Sequence, residues 1–519
     1  MVERRGQVRA GVEQSAVEVE SDDVEGKAGH CGAPVPATLW NWQGNRGRAG
    51  LQGWIVPVAR RPGEGFIRVS DRPIAAIILA AGKGTRMKSD THKVLHPIAG
   101  RPMLLHLIDS VAALEPARNV VVVGAGREQV EAAVHPYGAE TVHQAEQLGT
   151  GHAVRMAEEA LAGFDGDVLI LYGDVPLVST ATMRRMLERL HGADNPAAVV
   201  LGFRPVDPGA YGRVIADGQG HIVKMVEFKD ASAEERAETL CNSGLMAVGA
   251  KDLFGLLAQV TNANAAGEYY LPDIVMLAAG QGRHSAVIET DAHEVTGVNS
   301  RGELAALEAE WQQARRTRAM ADGATLIAPE TVWFSYDTVL GRDVTVEPNV
   351  VFGPGVEVAD QVTIHAFSHI EGARIASGVA VGPYARLRPG AVLEEGAKVG
   401  NFVEIKKAVL GKGAKANHLT YLGDAKVGAG ANIGAGTITC NYDGYFKYGT
   451  EIGAGAFIGS NSALVAPVKI GDGAIVGAGS VVTQDVEADA LGLTRARQEA
   501  KPGWAKRFRE RMQARKAAK

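Results

Sequence analysis

The chain has 519 residues, 46% of them hydrophobic, with a formal net charge of −5. Its length sets an expectation of roughly two to four domains, and a mildly acidic balance with a pI near 6.3 excludes an electrostatic case for nucleic acid as the main partner. Three cysteines, Cys31, Cys241 and Cys440, are odd in number and far apart, which excludes a disulfide framework or a zinc set and points to a reducing, cytoplasmic setting. No apolar run approaches the roughly 18 residues needed to span a membrane.

Residues 1–72 carry an acidic cluster of Glu18, Glu20, Asp22, Asp23 and Glu25, and their apolar pieces at 40–42 and 54–58 are too short for a signal peptide. The segment reads as mostly disordered. Alternatively, residues 1–68 are a start-site artefact or a dispensable extension. The next methionine, Met87, lies inside the first motif, so a later start needs another codon, as at Val69. N-terminal sequencing of the native protein separates these readings.

Residues 73–299 alternate strand-like and helical patterns. The apolar run 75–79 predicts a buried parallel strand and feeds the turn Gly82-Lys83-Gly84-Thr85-Arg86. Next comes a helix with Met103, Leu104, Leu107, Val111 and Leu114 on one side. Further strands are expected at 120–123, 168–171 and 199–201, and helices at 152–161 and 180–190. This predicts a mostly parallel, doubly wound Rossmann-like α/β sheet with ligands at the carboxyl ends of its strands. The turn at 82–86 sits at such an end, where glycines admit phosphate oxygens to the backbone and Lys83, Arg86 and Lys93 offset charge. It is neither a Walker A loop nor the dinucleotide G-x-G-x-x-G. By itself such a turn is more often a tight corner with solvated cations.

Residues 300–321 predict one amphipathic connecting helix, with Leu304, Leu307, Trp311 and Ala314 on one face. Acidic residues come first and basic ones last, which suits its macrodipole.

A further domain is expected over 322–492, and within it, from Val339 to Val486, the chain counts in sixes. Ile452, Ile458, Leu464, Ile470, Val476 and Val482 are one aliphatic register; Val346, Phe352, Val358, Ile364 and Ile370 are another, and Val381, Leu387, Leu393, Val399 and Ile405 a third. A period of six fits neither a helix nor a single alternating strand. It fits short strands separated by tight corners, three to a coil of about eighteen residues: a hexapeptide-repeat parallel β-helix. The register slips once between Ile370 and Val381, loses its aliphatic positions from Ala408 to Leu422, and is interrupted by a loop at 440–447. A prism requires neither polar clusters nor loops, so these breaks are the candidate functional segments. Residues 493–519 form a basic tail, read as a solvated segment with helical potential.

The motif series Leu79-Ala80-Ala81-Gly-x-Gly-Thr-Arg86-Met, Lys93-Val-Leu, Gly100-Arg-Pro-Met, Gln144-Ala-Glu-Gln-Leu-Gly149-Thr150-Gly-His, Tyr172-Gly173-Asp174-Val-Pro, Tyr211-Gly212-Arg, Val226-Glu227-Phe-Lys-Asp, Asn242-Ser-Gly, Gly267-Glu-Tyr-Tyr and Gly297-Val-Asn299 resembles the sugar nucleotidyltransferases. Taken with the prism, which resembles the hexapeptide acyltransferases, it is similar to the bacterial family of bifunctional N-acetylglucosamine-1-phosphate uridyltransferase/glucosamine-1-phosphate N-acetyltransferases. The resemblance runs from about Pro73 to Arg495. It implies a left-handed β-helix, a homotrimer, acetyl transfer from acetyl-CoA to glucosamine 1-phosphate, and then uridylyl transfer from UTP to N-acetylglucosamine 1-phosphate. The product is UDP-N-acetylglucosamine for cell-wall precursors.

Residue by residue, the resemblance implies that Leu79, Ala80, Ala81, Gly82 and Gly173 hold the nucleotide, with Arg86 on its phosphates and Lys93 neutralising the charge shared by the two phosphates. Gln144, Gly149 and Thr150 would read the uracil, and Tyr172 would line the nucleotide pocket. Gly212, Glu227 and Asn242 would bind the sugar, and Asp174 with Asn299 would hold Mg²⁺. In the prism it implies His418 as general base. An imidazole suits that task because the amine must lose a proton to attack a thioester. Arg388, Lys406, Tyr421, Asn432 and Lys447 would grip glucosamine 1-phosphate. Ala435, Asn441, Tyr442, Ser460, Ala478 and Arg495 would hold acetyl-CoA. Two other readings stay open on the residues alone: a single nucleotidyltransferase with a regulatory prism, and a non-catalytic trimeric scaffold.

Overall fold

The computed structural model describes residues 72–518. The readings of the leader, including a start at Val69, fall outside these residues. No helix among those described is long and apolar enough to cross a membrane.

The strand Ile74–Ala80 is buried nearly throughout. Its alternate residues divide between two cores: Ala75, Ile77 and Leu79 face one, and Ala76, Ile78 and Ala80 the other. Helices cover both faces of the sheet, which is why the run is apolar without alternation. The strand order across the sheet is Ala286–Thr290, Ala198–Phe203, Cys241–Gly249, Asp167–Tyr172, Ile74–Ala80, Arg118–Val123 and Glu140–His143. The sheet is more mixed than the alternating pattern predicts. Cys241–Gly249 runs antiparallel to both neighbours, with an irregularity between Asn242 and Met246. The chain reaches this strand from the antiparallel hairpin Arg213–Ala216/Ile222–Val226, not from a crossover helix, so it enters the sheet reversed. The helical pattern at 152–161 is α-helix only over Thr150–Arg155; beyond Arg155, bonds such as Ala157 N to Val154 O, 3.0 Å, tighten the chain into turns.

The connecting helix Arg301–Ala321 opens on a reciprocal capping box between Ser300 and Glu303. Leu304, Leu307 and Trp311 pack with Met87, Ile98 and Met103. Ala314, expected on this face, is exposed; the buried stripe turns instead to Gln312, Arg316 and Ala319. The first coil of the prism presents unpaired backbone here, and polar side chains satisfy it. The Gln312 amide donates to Phe334 O at 2.7 Å and accepts from Phe334 N at 2.9 Å, while Arg316 donates to Val332 O at 3.3 Å.

Strands from Thr325–Leu326 to Leu491–Gly492 stack into three parallel sheets of 10, 8 and 8 strands, forming a left-handed β-helix of hexapeptide repeats. Every aliphatic residue of the three registers is buried in one continuous core. Pairings such as Thr345 with Thr363 and Val351 with His369 show coils of eighteen residues. Others show seventeen: Glu357 pairs with Arg374, Val392 with Val409, and Val409 with Lys426. One corner residue is missing from each of those coils. The slip after Ile370 is therefore a shortened corner, with Ile375 as the next inward residue. The apparent loss of the ladder over 408–422 is corrected for the same reason: Leu410, Ala416 and Leu422 fill the axis, one place off a strict count of six. The pairing of Lys426 with Glu451 spans twenty-five residues and accommodates the inserted loop. Beyond the last coil, Trp504–Ala517 is a helix with no buried residue.

Candidate functional site

The first site forms where strands Ile74–Ala80 and Asp167–Tyr172 end side by side. Gly173 N donates to Leu79 O at 2.9 Å, so the Gly-rich turn and the Asp174 segment leave the sheet together. The Lys93 ammonium forms an ion pair with Asp174 and donates to Asn299 Oδ1 at 3.2 Å. These three residues come from three separate segments. Val298 N bonds Asp174 O at 2.9 Å, and Asn299 N bonds the capping carboxylate of Glu303, which fixes the Asn299 side. Asp174 and Asn299 thus converge on a single cationic group, and one carboxylate with one amide oxygen is a donor set that fits Mg²⁺ with room for phosphate and water.

Gln144 is buried, donating to Gly149 O at 3.2 Å and meeting His152 Nδ1 at 3.0 Å. The Gln147 amide, which sequence reasoning left unassigned, donates to Ala81 O across the turn. Arg86 and Gly82 are exposed at its rim. Thr150 reaches Tyr172, whose phenol burial pushes well above its ordinary range, with the Asp174 and Glu227 charges adding to that effect. Asn242 N donates to Gly212 O at 2.9 Å, and Gly212 has the Glu227 carboxyl against it. Burial raises the Glu227 carboxyl, and the charges of Asp273, Asp230 and Glu268 raise it further. Gly244 takes φ +86° with the Tyr172 ring 2.8 Å from where a Cβ would stand, so no side chain fits between strand and tyrosine.

The second site lies along the prism. His418 Nδ1 and Asn401 Oδ1 are 2.7 Å apart and their residues are paired in neighbouring coils. With Nδ1–H donating to Asn401, the Nε2 lone pair is left free, which is the form a general base requires. A pocket of about 470 Å³ opens beside them, lined by Gly382, Pro383, Tyr384, Gly400, Asn401, Phe402, Asn417 and His418. The pairings of Lys415 with Asn432, Asn432 with Phe457 and Phe457 with Ile475 place His418, Ala435, Ser460 and Ala478 at equivalent corners of four successive coils. Arg495 ends this column, donating to Ala478 O at 2.7 Å.

Arg388, Lys406, Tyr421 and Lys447 gather on the side of the prism that follows Asn401, whereas Asn432 lies on another sheet, in register with Lys415. Arg388 pairs with Glu404 at 2.7 Å, and the Lys406 ammonium is pushed down chiefly by the Lys447 ammonium against it. Tyr421 stands close enough for its hydroxyl to bar a side chain at Gly423, as does the Asn441 amide. Asn441 is buried and donates to Asp424 at 2.6 Å, whereas Tyr442 is exposed on the loop. Asn432 sits next to the axis residue Ile433. Asn401, Glu404 and Asp424 escaped sequence reasoning. The signal for Asn401 was its separation from His418, seventeen residues, which becomes a neighbour relation only once the shortened coil is known.

An α/β sheet with a Gly-rich turn at its strand ends, joined to a hexapeptide-repeat prism, defines a hexapeptide-repeat nucleotidyltransferase. Residues 76–261 match the MobA-like NTP transferase domain, and residues 337–372 and 449–484 match the bacterial transferase hexapeptide repeats. The chain is 69% identical over 448 residues to the bifunctional protein GlmU of Sphingopyxis alaskensis, covering 86% of this chain and 99% of that one. It is 70% identical over 451 residues to the bifunctional protein GlmU of Rhizorhabdus wittichii, and 61% identical over 442 residues to that of Zymomonas mobilis, covering 87% and 85% of this chain and 100% and 98% of theirs. The chain belongs to the GlmU family.

Proposed function

We propose that the two activities of the family divide between these two sites. As a GlmU protein the chain is a bifunctional acetyltransferase and uridyltransferase that makes UDP-N-acetylglucosamine. The assignment of residues to steps is ours, and its most direct support is the pairing of His418 with Asn401 at the head of the Ala435–Ser460–Ala478 column.

In the acetyl step, the amine of glucosamine 1-phosphate attacks the thioester carbonyl. His418 Nε2 takes the amine proton, the N–C bond forms, and the C–S bond breaks to release CoA as its thiol once that sulfur is protonated. The column gives acetyl-CoA a groove along the prism axis, with Arg495 at its end for a phosphate. Arg388, Lys406 and Lys447 receive the sugar phosphate. Asn401 precedes strand Glu404–Lys406 and Lys406 ends it, so the two stand at opposite ends of one side of the prism. A substrate that must meet both is served best when the cations of one copy face the partner subunit's His418. We place the protein in a homotrimer, as the resemblance to the hexapeptide acyltransferases implies, with Asn441 and Tyr442 reaching acetyl-CoA from the inserted loop.

In the uridylyl step, a phosphate oxygen of N-acetylglucosamine 1-phosphate attacks the α-phosphorus of UTP and pyrophosphate leaves. No covalent enzyme intermediate is required, so positioning and charge neutralisation carry the rate. Mg²⁺ held by Asp174 and Asn299 supplies Lewis-acid stabilisation of the phosphates when bound. Lys93 then serves the phosphate oxygens, Gln144 and the Gly149–Thr150 backbone read uracil, and Glu227 with Asn242 orients the sugar.

Two assays test the division: thiol release from acetyl-CoA, and pyrophosphate release from UTP. His418→Ala abolishes only the first and Asp174→Ala only the second. Loss of both activities from either variant in a folded protein refutes independent sites.

A further inference from the structure

At the opposite edge of the α/β sheet from Lys93 and Asp174, three side chains from three segments meet. Asp194 lies in the turn before strand Ala198–Phe203, His221 immediately precedes strand Ile222–Val226, and His284 precedes strand Ala286–Thr290. His221 Nε2 and His284 Nε2 each stand 3.1 Å from the same atom, Asp194 Oδ2. The three donor atoms lie within 4.8 Å of one another.

The surroundings fix all three. Arg189 forks onto Asp194 with two bonds of 2.7 Å. That fork occupies the carboxylate edge between the two oxygens and leaves the outer lone pair of Oδ2 toward the imidazoles. Ala197 N bonds His284 O at 2.8 Å, and Ile222 N bonds Ser285 O at 2.8 Å, so the three segments are tied by backbone as well. A Cβ at Gly192 would stand 2.7 Å from Arg189 Nη1 and 2.8 Å from Asp194 Oδ1, so the glycine leaves room for this pair.

The other nitrogen of His221 is also claimed. Its Nδ1 is 3.2 Å from Asp217 Oδ2, and Asp217 is held in place by Gln219 N and His221 N at 2.8 and 2.9 Å. When Nδ1–H donates to Asp217, the Nε2 lone pair points at Asp194. A cation between Nε2 and Oδ2 satisfies both, and a carboxylate behind a ligating histidine is the usual support of such a site.

We propose that Asp194, His221 and His284 bind one first-row divalent cation of the zinc class, oriented by Asp217, as a staple across the amino-terminal edge of the sheet. Two imidazoles and one carboxylate favour zinc over magnesium, which prefers oxygen donors. The side chains are 27–36% exposed, so the cation enters and leaves through solvent. The position is remote from the nucleotide turn, so the staple acts on stability and takes no part in phosphoryl transfer.

Zinc alone is the probe, with full-length protein in excess Mg²⁺. Equilibrium dialysis of wild type retains one zinc per chain, and the Asp174→Asn variant retains the same. His221→Gln/His284→Gln loses that zinc, and Asp217→Asn, with all three ligands intact, weakens it by about 10- to 100-fold. Zinc raises the thermal midpoint of wild type and not that of the double variant. Cobalt in place of zinc gives visible absorption of a nitrogen-ligated ion in wild type only. Equal zinc retention by wild type and the double variant overturns the proposal, as does wild type that retains none. Circular dichroism confirms that each variant is folded.

Discussion

Replacing Asn401 with alanine probes the acetyl step without touching a residue that meets the reacting atoms. Asn401 accepts from His418 Nδ1 at 2.7 Å and holds the tautomer whose Nε2 is free. Removing the acceptor leaves His418 to rotate and to place its proton on either nitrogen. The net value of such a bond is about 0.5–1.5 kcal/mol, and the exposure of His418 favours the lower half of that range. At about 1.36 kcal/mol per tenfold, kcat/KM for acetyl transfer falls roughly two- to five-fold. Asn401→Asp keeps an acceptor in the same place and restores most of the loss. Uridylyl transfer, measured by pyrophosphate release on the same preparation, does not change. Thiol release by Asn401→Ala equal to that of wild type refutes a positioning role for Asn401, as does an Asn401→Asp variant as impaired as the alanine one.

The geometry carries three further expectations. Lys447→Ala removes the charge that depresses Lys406 and one arm of the proposed phosphate site, so KM for glucosamine 1-phosphate rises by about tenfold while KM for acetyl-CoA holds. Glu227 has a folded-state pKa raised above its unfolded value, so the native state binds its proton more tightly and stability falls as pH rises between the two. Glu227→Gln therefore raises the thermal midpoint more at pH 7 than at pH 4, while uridylyl transfer loses sugar affinity; equal shifts at both pH values contradict the assignment. Gly244→Ala forces a side chain into the left-handed region and against the Tyr172 ring, which costs about 2 kcal/mol or more. The expected readout is an earlier urea midpoint with acetyl transfer retained.

Local chemistry was legible in residue order. The six-residue register names the residues that line the prism axis, because a side chain's inward direction repeats with each short strand and corner. The run 75–79 announces a strand covered on both faces, and the apolar spacing of Leu304, Leu307 and Trp311 announces the connecting helix. The tertiary structure alone decided who meets whom. Shortened corners at three coils change the repeat from eighteen to seventeen, and that one-residue difference sets Asn401 beside His418. A strict count hides Leu410 and Ala416 for the same reason. Lys93, Asp174 and Asn299 gather because parallel strands end on one edge of the sheet, a consequence of strand order that no local spacing encodes. The reversed strand Cys241–Gly249 and the His221–Asp194–His284 cluster are likewise products of topology. Local sequence sets which way each side chain points; the packing of distant segments sets what it points at.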